Sequence, residues 1–137
     1  MRLNIKTERL NIMPPILGDV PRIAKLVGDK DVSWMLGRVP HPYNDDDATW
    51  WVNKTADDIE AGKEYAFGVY LPGDGLIGSC GVIKRGPAWE IGYWYGRAYW
   101  EQGFATEAGQ AVLEWARIEL DAHSFICLLY TSDAADD

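Results

Sequence analysis

Cysteine and basic residues are scarce in this sequence, and each scarcity excludes a kind of protein. Only two of the 137 residues are cysteines. Cys80 and Cys127 are far apart and have neither CxxC spacing nor histidine partners, so no disulfide framework and no metal site are expected. Lys and Arg number 13 against 21 Asp and Glu, which gives a formal net charge of −8. A nucleic-acid partner is not expected, because a phosphate backbone needs Lys and Arg to neutralise it.

Long apolar runs are also absent. No stretch approaches the roughly 20 apolar residues that cross a bilayer, and the first residues do not have the pattern of a signal peptide. We therefore expect a cytoplasmic protein without a membrane partner. Hydrophobic residues at 47% and charged residues at 25% are typical of a single soluble globular domain.

Apolar spacing and turn residues divide the first half of the chain into short elements. A strand is predicted over residues 9–13. A short helix is predicted over 31–36, and a longer one over 45–61 that ends at Gly62. Between the strand and the short helix, another helix is predicted from four residues that share one face: Val20, Ile23, Ala24 and Val27.

Three strands are predicted in the middle of the chain, over residues 64–71, 76–84 and 89–95. Pro72-Gly73-Asp74-Gly75 is a strong hairpin turn between the first two of them. A second turn, Arg85-Gly86-Pro87-Ala88, precedes the third strand. The three strands are therefore expected to form an antiparallel meander.

A helix is predicted to begin at Phe104, after a short loop. The first turn of a helix has backbone N–H groups without partners and a partial positive charge, so it can hold a phosphate. Gly103 would let such a ligand approach, and Thr106 would add a hydroxyl donor. Alternatively, the loop is an ordinary connection in which Gly103 only permits a turn. The helix face is predicted from residues three and four apart: Ala105, Ala108, Ala111, Val112, Trp115 and Ile118.

The loop carries the motif Trp100-Glu101-Gln102-Gly103-Phe104-Ala105. It resembles the Arg/Gln-x-x-Gly-x-Gly/Ala signature of the GNAT superfamily of acetyl-CoA-dependent N-acetyltransferases. Tryptophan in the first position resembles the RimJ/RimL-like branch, as do the segments TERL (7–10), PHPY (40–43) and EIGYW (90–94). Glu101 departs from the signature, since a second glycine is usual there. Its carboxylate would repel a pyrophosphate unless it points to solvent.

This resemblance implies the fold and the co-substrate. The fold implied is α/β (α+β), with a mixed, largely antiparallel sheet flanked by helices. Acetyl-CoA would bind with its pyrophosphate on the loop and its pantetheine alongside the central strand, held by backbone groups. The cofactor-binding residues implied are Tyr93, Trp94, Tyr95, Trp100, Glu101, Gln102, Gly103, Phe104, Ala105 and Thr106.

The chemistry implied is attack of a neutral amine on the thioester, which needs a base for the ammonium proton. Glu90 is the candidate catalytic residue. Strand alternation places it on the same face as Gly92 and Trp94, among aromatic residues that would raise its pKa by desolvation. The alternative is a carboxylate paired with Lys84 or Arg85 across the turn.

Other polar residues also have two interpretations. The run Asp45-Asp46-Asp47 could attract a cationic amine, or it could complement the dipole at the start of the long helix. His41 could titrate near the acceptor site or be a structural loop residue. No role is assigned to His123.

The last eleven residues, CLLYTSDAADD, resemble the in-frame translation of a transposase sequencing adapter. On that interpretation residues 1–126 are a partial GNAT domain and 127–137 a non-native tail, whose removal changes the charge to −8 + 3 = −5. The C-terminal strands and helix of the family, which supply the general acid, would be missing. The helix face of Ala108, Val112 and Trp115 would then be only partly covered. The alternative is an authentic strand with an acidic tail.

Two functions are therefore expected as alternatives. The first is an N-acetyltransferase in which a primary amine, on a small molecule or a protein N-terminus, attacks acetyl-CoA directly in a ternary complex. The second is a non-catalytic acyl-CoA-binding module, an alternative that Glu101 and the absent C-terminal residues leave open. The expected partner is an amine-bearing acceptor, selected by the variable region 34–50, and the chain could also pair as a homodimer.

Overall fold

A computed structural model describes residues 1–32 and 42–127. One sheet of these residues has the strand order β1 to β6, and neighbouring strands are antiparallel except β5 and β6, which are parallel. The mixed, largely antiparallel sheet flanked by helices that the sequence implied is confirmed. The strands are β1 Ile5–Lys6, β2 Asn11–Met13, β3 Glu64–Leu71, β4 Gly75–Arg85, β5 Ala88–Tyr95 and β6 Phe125–Cys127.

The expected three-stranded meander is confirmed as β3, β4 and β5, with β4 and β5 slightly longer than predicted. Its two turns depend on glycine. Gly73 and Gly75 have φ of 95° and 93°, and Gly86 has φ of 60°. These values lie in the left-handed region that glycine adopts at little cost, so the turn residues set where the strands end.

The strand predicted over residues 9–13 is shorter, and it is the second arm of a hairpin. Lys6 pairs with Asn11 across a turn in which the Thr7 N–H donates to the Leu10 carbonyl at 2.9 Å. The Thr7 hydroxyl accepts the Leu10 N–H at 3.0 Å. The two-residue strand β1 was not predicted because so short a segment shows no periodicity.

Two helices cover one face of the sheet. Helix α1, Val20–Val27, has Pro21 in its first turn and buries the four residues predicted for its face. Helix α2, Asp45–Ala61, has the predicted bounds and ends at Gly62, whose φ is 73°. The short helix predicted over 31–36 is helical at Asp31 and Val32, and its remaining residues lie outside the described part of the chain.

Helix α3, Phe104–Glu119, covers the opposite face of the sheet. The expectation that its apolar face would be only partly covered is wrong, since Ala108, Val112 and Trp115 are 0%, 0% and 3% exposed. They lie in one core with residues of β1 to β5, and α3 contacts β1, β4 and β5. The prediction that Ile118 lies on the buried face of this helix is also wrong. Ile118 is 66% exposed, and Ala116 is buried instead.

The end of the chain is described up to Cys127. Cys127 belongs to β6 and pairs with Ile91, so the boundary predicted after residue 126 falls inside this strand. The remainder of the predicted tail, 128–137, lies outside the described residues, as do His41 and residues 34–41 of the predicted specificity region. Among the described residues, no helix has the length and apolar character needed to cross a membrane.

Candidate functional site

The start of α3 lacks a capping side chain. Gly103 is its N-cap residue, with φ of 81° and no side-chain hydrogen bond to the first turn. Phe104 is buried and anchors the turn in the core, while Thr106 is exposed. An uncapped helix start presents N–H groups and a partial positive charge, so this position has the chemistry of an anion site.

An ion pair holds the loop before α3 against the β1–β2 turn. Arg9 Nε donates to Glu107 Oε1 at 2.6 Å, and the Arg9 backbone N–H donates to Glu107 Oε2 at 2.9 Å. The Thr7 hydroxyl donates to the same carboxylate at 2.5 Å. Arg9 Nη1 donates to the Gln102 carbonyl at 3.0 Å. We call this set of four residues the Arg9–Glu107 latch.

The latch also fixes the charge of its carboxylate. Burial acts to raise the pKa of Glu107, but the hydrogen bonds from Thr7 and Arg9 outweigh it and lower that pKa. The Arg9 guanidinium lies 4.4 Å from the centre of the Phe104 ring. Arg9 therefore compensates the only acidic residue in the first turn of α3 and packs on the residue that follows Gly103.

Sequence reasoning did not find this latch. Arg9 lies in a segment that contributed only to the family resemblance, and it is 98 residues from Glu107. No periodicity links positions so far apart. The opposite charges of Arg9 and Glu107 were the only available signal. The sequence contains many pairs of opposite charge, so this signal did not single out the contact.

The other residues of the motif mostly hold the loop itself. Trp100 Nε1 donates to the Tyr95 carbonyl at 2.8 Å, which ties the loop to the end of β5. Gln102 Nε2 donates to the Ala98 carbonyl at 2.7 Å. Glu101 is exposed, as its departure from the signature required, and its φ is 61°. A left-handed conformation explains why glycine suits this position.

Strand β5 lies between β4 and β6, and its two ends differ. The parallel ladder with β6 pairs Trp89 with Phe125 and ends, within the described residues, at Ile91 with Cys127. The antiparallel ladder with β4 continues to Tyr95. The segment of β5 nearest the loop, which includes the predicted residues Tyr93, Trp94 and Tyr95, therefore follows the described part of the β6 ladder.

Glu90 lies on the α2 face of β5. Its Oε1 accepts a hydrogen bond from Arg85 Nε at 3.1 Å, and its side chain is 16% exposed. The ion pair across the turn, one of two interpretations of Glu90, is thus present with Arg85. Lys84 instead lies over the Trp89 ring at 5.0 Å. The Arg85 side chain is 54% exposed, so it can leave Glu90 without disturbing the core.

Comparison with known proteins identifies the family. Residues 9–135 match the model of the acetyltransferase (GNAT) domain. The chain belongs to the GNAT acetyltransferase family. None of the curated protein sequences compared with it matches.

Solved structures agree with this assignment. A GNAT-family acetyltransferase from Bacillus anthracis is 29% identical, with a TM-score of 0.75 over 90% of this chain and 72% of its own. A Salmonella typhimurium acetyl transferase, which modifies the N-terminal serine of ribosomal protein L7/L12, is 16% identical, with a TM-score of 0.80 over 97% and 80%.

A third structure contains ligands. The microcin C7 self-immunity acetyltransferase MccE, in complex with acetyl-CoA and AMP, is 13% identical, with a TM-score of 0.80 over 94% of this chain and 75% of its own. Structures of RimL also match. The resemblance to the RimJ/RimL-like branch is therefore confirmed at the level of the fold.

The acidic run of this GNAT chain caps a helix. Asn44 Oδ1 accepts the Asp47 N–H at 3.2 Å, and Asp47 Oδ2 accepts the Asn44 N–H at 2.9 Å. These two bonds form a capping box, with Asp45 and Asp46 in the same first turn. The structural interpretation of this run is thus observed. His123 is exposed and contacts Asp121 at 2.9 Å.

Neither cysteine takes part in a metal or disulfide site in the described residues. Cys80 is buried, which raises the pKa of its thiol to about 12, and Cys127 is exposed. No group of three or more His, Cys, Asp or Glu residues in 1–32 and 42–127 could hold a metal ion.

Proposed function

We propose that this chain transfers the acetyl group of acetyl-CoA to a primary amine. One observation carries the proposal: the family motif lies on an uncapped helix start, and the Arg9–Glu107 latch neutralises the acidic residue beside it. Family membership gives the reaction class, and the loop geometry gives the place where the cofactor would bind. The acidic composition of a chain with formal charge −8 suits a cationic acceptor.

The proposed cofactor site has two parts. The N–H groups of Phe104, Ala105 and Thr106 would hold the pyrophosphate, with Gly103 leaving room for its approach. The backbone of Tyr93, Trp94 and Tyr95 would pair with pantetheine, as the family resemblance implies. Trp100, Glu101 and Gln102 shape the loop between these two parts. The residues fit acetyl-CoA because Gly103, at the N-cap of α3, has no side chain that caps the first turn.

The proposed mechanism is direct attack in a ternary complex. Glu90 accepts a proton from the acceptor ammonium, which frees the nitrogen lone pair. The nitrogen then bonds to the thioester carbonyl carbon, the carbon–sulfur bond breaks, and a second proton from the nitrogen passes to the departing thiolate. The products are the amide and free CoA thiol. Backbone N–H groups of β5 would stabilise the oxyanion formed between these steps. No metal is needed, since the thioester is already activated.

A non-catalytic acyl-CoA-binding module is the second candidate function. The observation that favours it is the Arg85–Glu90 hydrogen bond, because the Arg85 guanidinium occupies the carboxylate oxygen that would take the proton. Under this hypothesis acetyl-CoA binds and is not turned over.

Replacing Glu90 by Gln separates the two functions. This variant keeps the shape of the side chain and removes the proton acceptor. We expect kcat for acetyl transfer to fall by about 10²–10⁴-fold while the Kd for acetyl-CoA stays the same. Release of free CoA thiol measures the rate, and calorimetry measures the affinity.

Glu114→Gln is the matched control, since Glu114 is an exposed carboxylate on α3 that contacts Arg117. It should behave as the parent chain does. An unchanged rate for Glu90→Gln would remove Glu90 as the base. Tight acetyl-CoA binding by the parent chain without transfer to any primary amine would favour the binding module.

A further inference from the structure

A small cavity lies on the face of the sheet opposite α3. Its volume is about 120 Å³. This is close to the size of engineered cavities that hold one benzene-sized group, so it suits part of a ligand and not a whole cofactor. We call it the α2-face cavity. Its lining comes from α2 and from three strands, and includes Trp51, Glu64, Ala66, Gly81, Ile83 and Gly92.

The cavity exists because three adjacent strands have small residues at one level. Ala66 pairs with Gly81, and Gly81 pairs with Gly92. Paired residues in a sheet point to the same face, so this row forms a floor with almost no side chains. A Cβ at Gly92 would meet no atom within 4 Å, whereas one at Gly81 would lie 2.4 Å from the Tyr65 carbonyl oxygen. Gly92 therefore faces open space.

Carboxylates stand at both ends of the next row. Glu64 pairs with Ile83, and Ile83 pairs with Glu90. Since neighbouring strands are about 4.8 Å apart, the backbones of the two glutamates are about 10 Å apart, with the apolar Ile83 between them. On the other side of the floor, the rings of Trp51 and Trp94 meet edge to face at 6.2 Å.

The charge of Glu64 is only partly compensated within the protein. Lys54 Nζ is 3.7 Å from Glu64 Oε1, and it is held more closely by Asp58 at 2.5 Å. Burial raises the pKa of Glu64, and the attraction of Lys54 and Arg85 offsets only part of that rise. A further cation close to Glu64 would therefore be favoured.

We propose that the α2-face cavity binds the far end of the acceptor, and that this end carries a second ammonium group held by Glu64. The inference rests on the proposed function, because it takes Glu90 as the place of the reacting amine. The acceptor class is then an aliphatic amine with two positive charges about 10 Å apart, the distance between the two carboxylate strands. Its methylene stem lies on Ile83 and the Ala66-Gly81-Gly92 floor, which offer apolar contact and no competing side chain.

A matched pair of acceptors tests whether a second ammonium group contributes to binding. 1,7-Diaminoheptane and heptylamine have the same stem and differ by one ammonium group. We expect the parent chain to acetylate the diamine with a kcat/KM about tenfold higher, as loss of one hydrogen bond to a charged group predicts. Glu64→Gln should remove this preference, so that the two amines give equal kcat/KM, while Glu114→Gln should keep it.

A second variant tests whether the acceptor occupies the α2-face cavity. Gly92→Ala places one methyl group in the cavity without a clash, so it should fold and should raise KM for the diamine several-fold. Gly109→Ala is the control, because its new methyl group would lie at ordinary contact distance, 4.0 Å, from Ile91 Cδ1. Thermal melting of all variants checks that they are folded.

The outcomes separate this inference from the proposed function. Equal kcat/KM for the two amines, or a preference that persists in Glu64→Gln, overturns the inference while acetyl transfer still stands. If the parent chain transfers acetyl to no amine, calorimetric titration with 1,7-diaminoheptane still decides. Binding that is weakened about tenfold in Glu64→Gln supports the cavity, and equal binding by both chains contradicts it.

Discussion

The starts of α2 and α3 are chemically opposite. The α2 start is closed by Asn44 and Asp47, which satisfy each other's backbone N–H groups, and Asp45 and Asp46 add two more carboxylates. The α3 start has Gly103 in place of a capping side chain, and its one first-turn acid, Glu107, is bound by Arg9. Both helices have the same dipole. Side chains therefore decide whether a helix start is a structural cap or an anion site.

This contrast also separates stability from binding. A capped start contributes to folding and repels phosphate, because its donors are used and its charges are negative. An uncapped start gives up that stabilisation and keeps its donors for a ligand. Substitutions at the α2 start should therefore change stability, and substitutions at the α3 start should change the affinity for the cofactor.

The largest effect is expected from closing the α3 start. Gly103→Asp would add a capping carboxylate where the pyrophosphate is proposed to lie. Its Cβ would meet only the flexible Arg9 guanidinium, at 3.3 Å, and Asp tolerates positive φ better than most residues, so the variant should fold. The Kd for acetyl-CoA should rise by about 100-fold, since a like-charge contact costs several kcal/mol.

Calorimetric titration measures this effect. Asn44→Asp is the matched control, because it adds the same charge at the N-cap of α2. That control should bind acetyl-CoA as the parent does. Equal affinity for Gly103→Asp and the parent would remove the phosphate-site hypothesis.

A smaller effect is expected from opening the latch. Arg9→Gln removes the ion pair with Glu107 and the hydrogen bond to the Gln102 carbonyl, so the loop must be ordered when the cofactor binds. We expect acetyl-CoA affinity to fall about tenfold. Lys6→Gln, with the same change of charge, should have no such effect.

Arg9→Lys distinguishes geometry from charge. Lysine keeps the positive charge and loses the planar guanidinium that reaches both Glu107 and Gln102. If the latch acts by positioning the loop, Arg9→Lys should resemble Arg9→Gln. Parental affinity in Arg9→Lys would show that only the charge near the phosphate matters.

The converse substitution at α2 should change stability alone. Asn44→Ala removes the side chain that caps the Asp47 N–H, and loss of such a cap costs about 1 kcal/mol of the free energy of unfolding. Urea denaturation measures this loss. The Kd for acetyl-CoA should not change, and a weakened Kd would mean that the two helix starts are not independent.

The smallest effect is expected at Glu101. Glu101 has a left-handed backbone conformation, with φ of 61°. Glu101→Gly removes the strain of that conformation and also removes a carboxylate from the loop. Stability should rise by at most about 1 kcal/mol, because the gain is offset by the greater freedom of glycine in the unfolded chain. Acetyl-CoA should bind slightly more tightly. Asp121→Gly, at the other described non-glycine residue with positive φ, should change stability without changing affinity.

Local signals in the sequence predicted most of the fold. Helix α2 has its predicted bounds because an acidic first turn and Gly62 mark its two ends, and β3 is bounded by equally clear turn residues. The exposed Ile118 shows the limit of periodicity. Three- and four-residue spacing gives the face of a helix, but where the sheet beneath it ends depends on tertiary packing.

The site was less predictable. Gly103 and its motif could be located because the family signature is contiguous, and Glu90 because strand alternation fixes its face. The latch between Arg9 and Glu107, and the row of Glu64, Ile83 and Glu90, depend on strand register and on contacts between distant segments. A single sequence does not specify such register until the turns and the pairing order are known.

The most direct test follows the backbone amides of both helix starts at once. In ¹⁵N–¹H correlation spectra, titration with CoA should shift the amides of Phe104, Ala105 and Thr106 strongly, and leave those of Asp46 and Asp47 unchanged. Titration with inorganic pyrophosphate should shift the same α3 amides at higher concentration. Equal shifts at both starts, or none at the α3 start while CoA binds elsewhere, would contradict the claim that the uncapped start of α3 is the cofactor site.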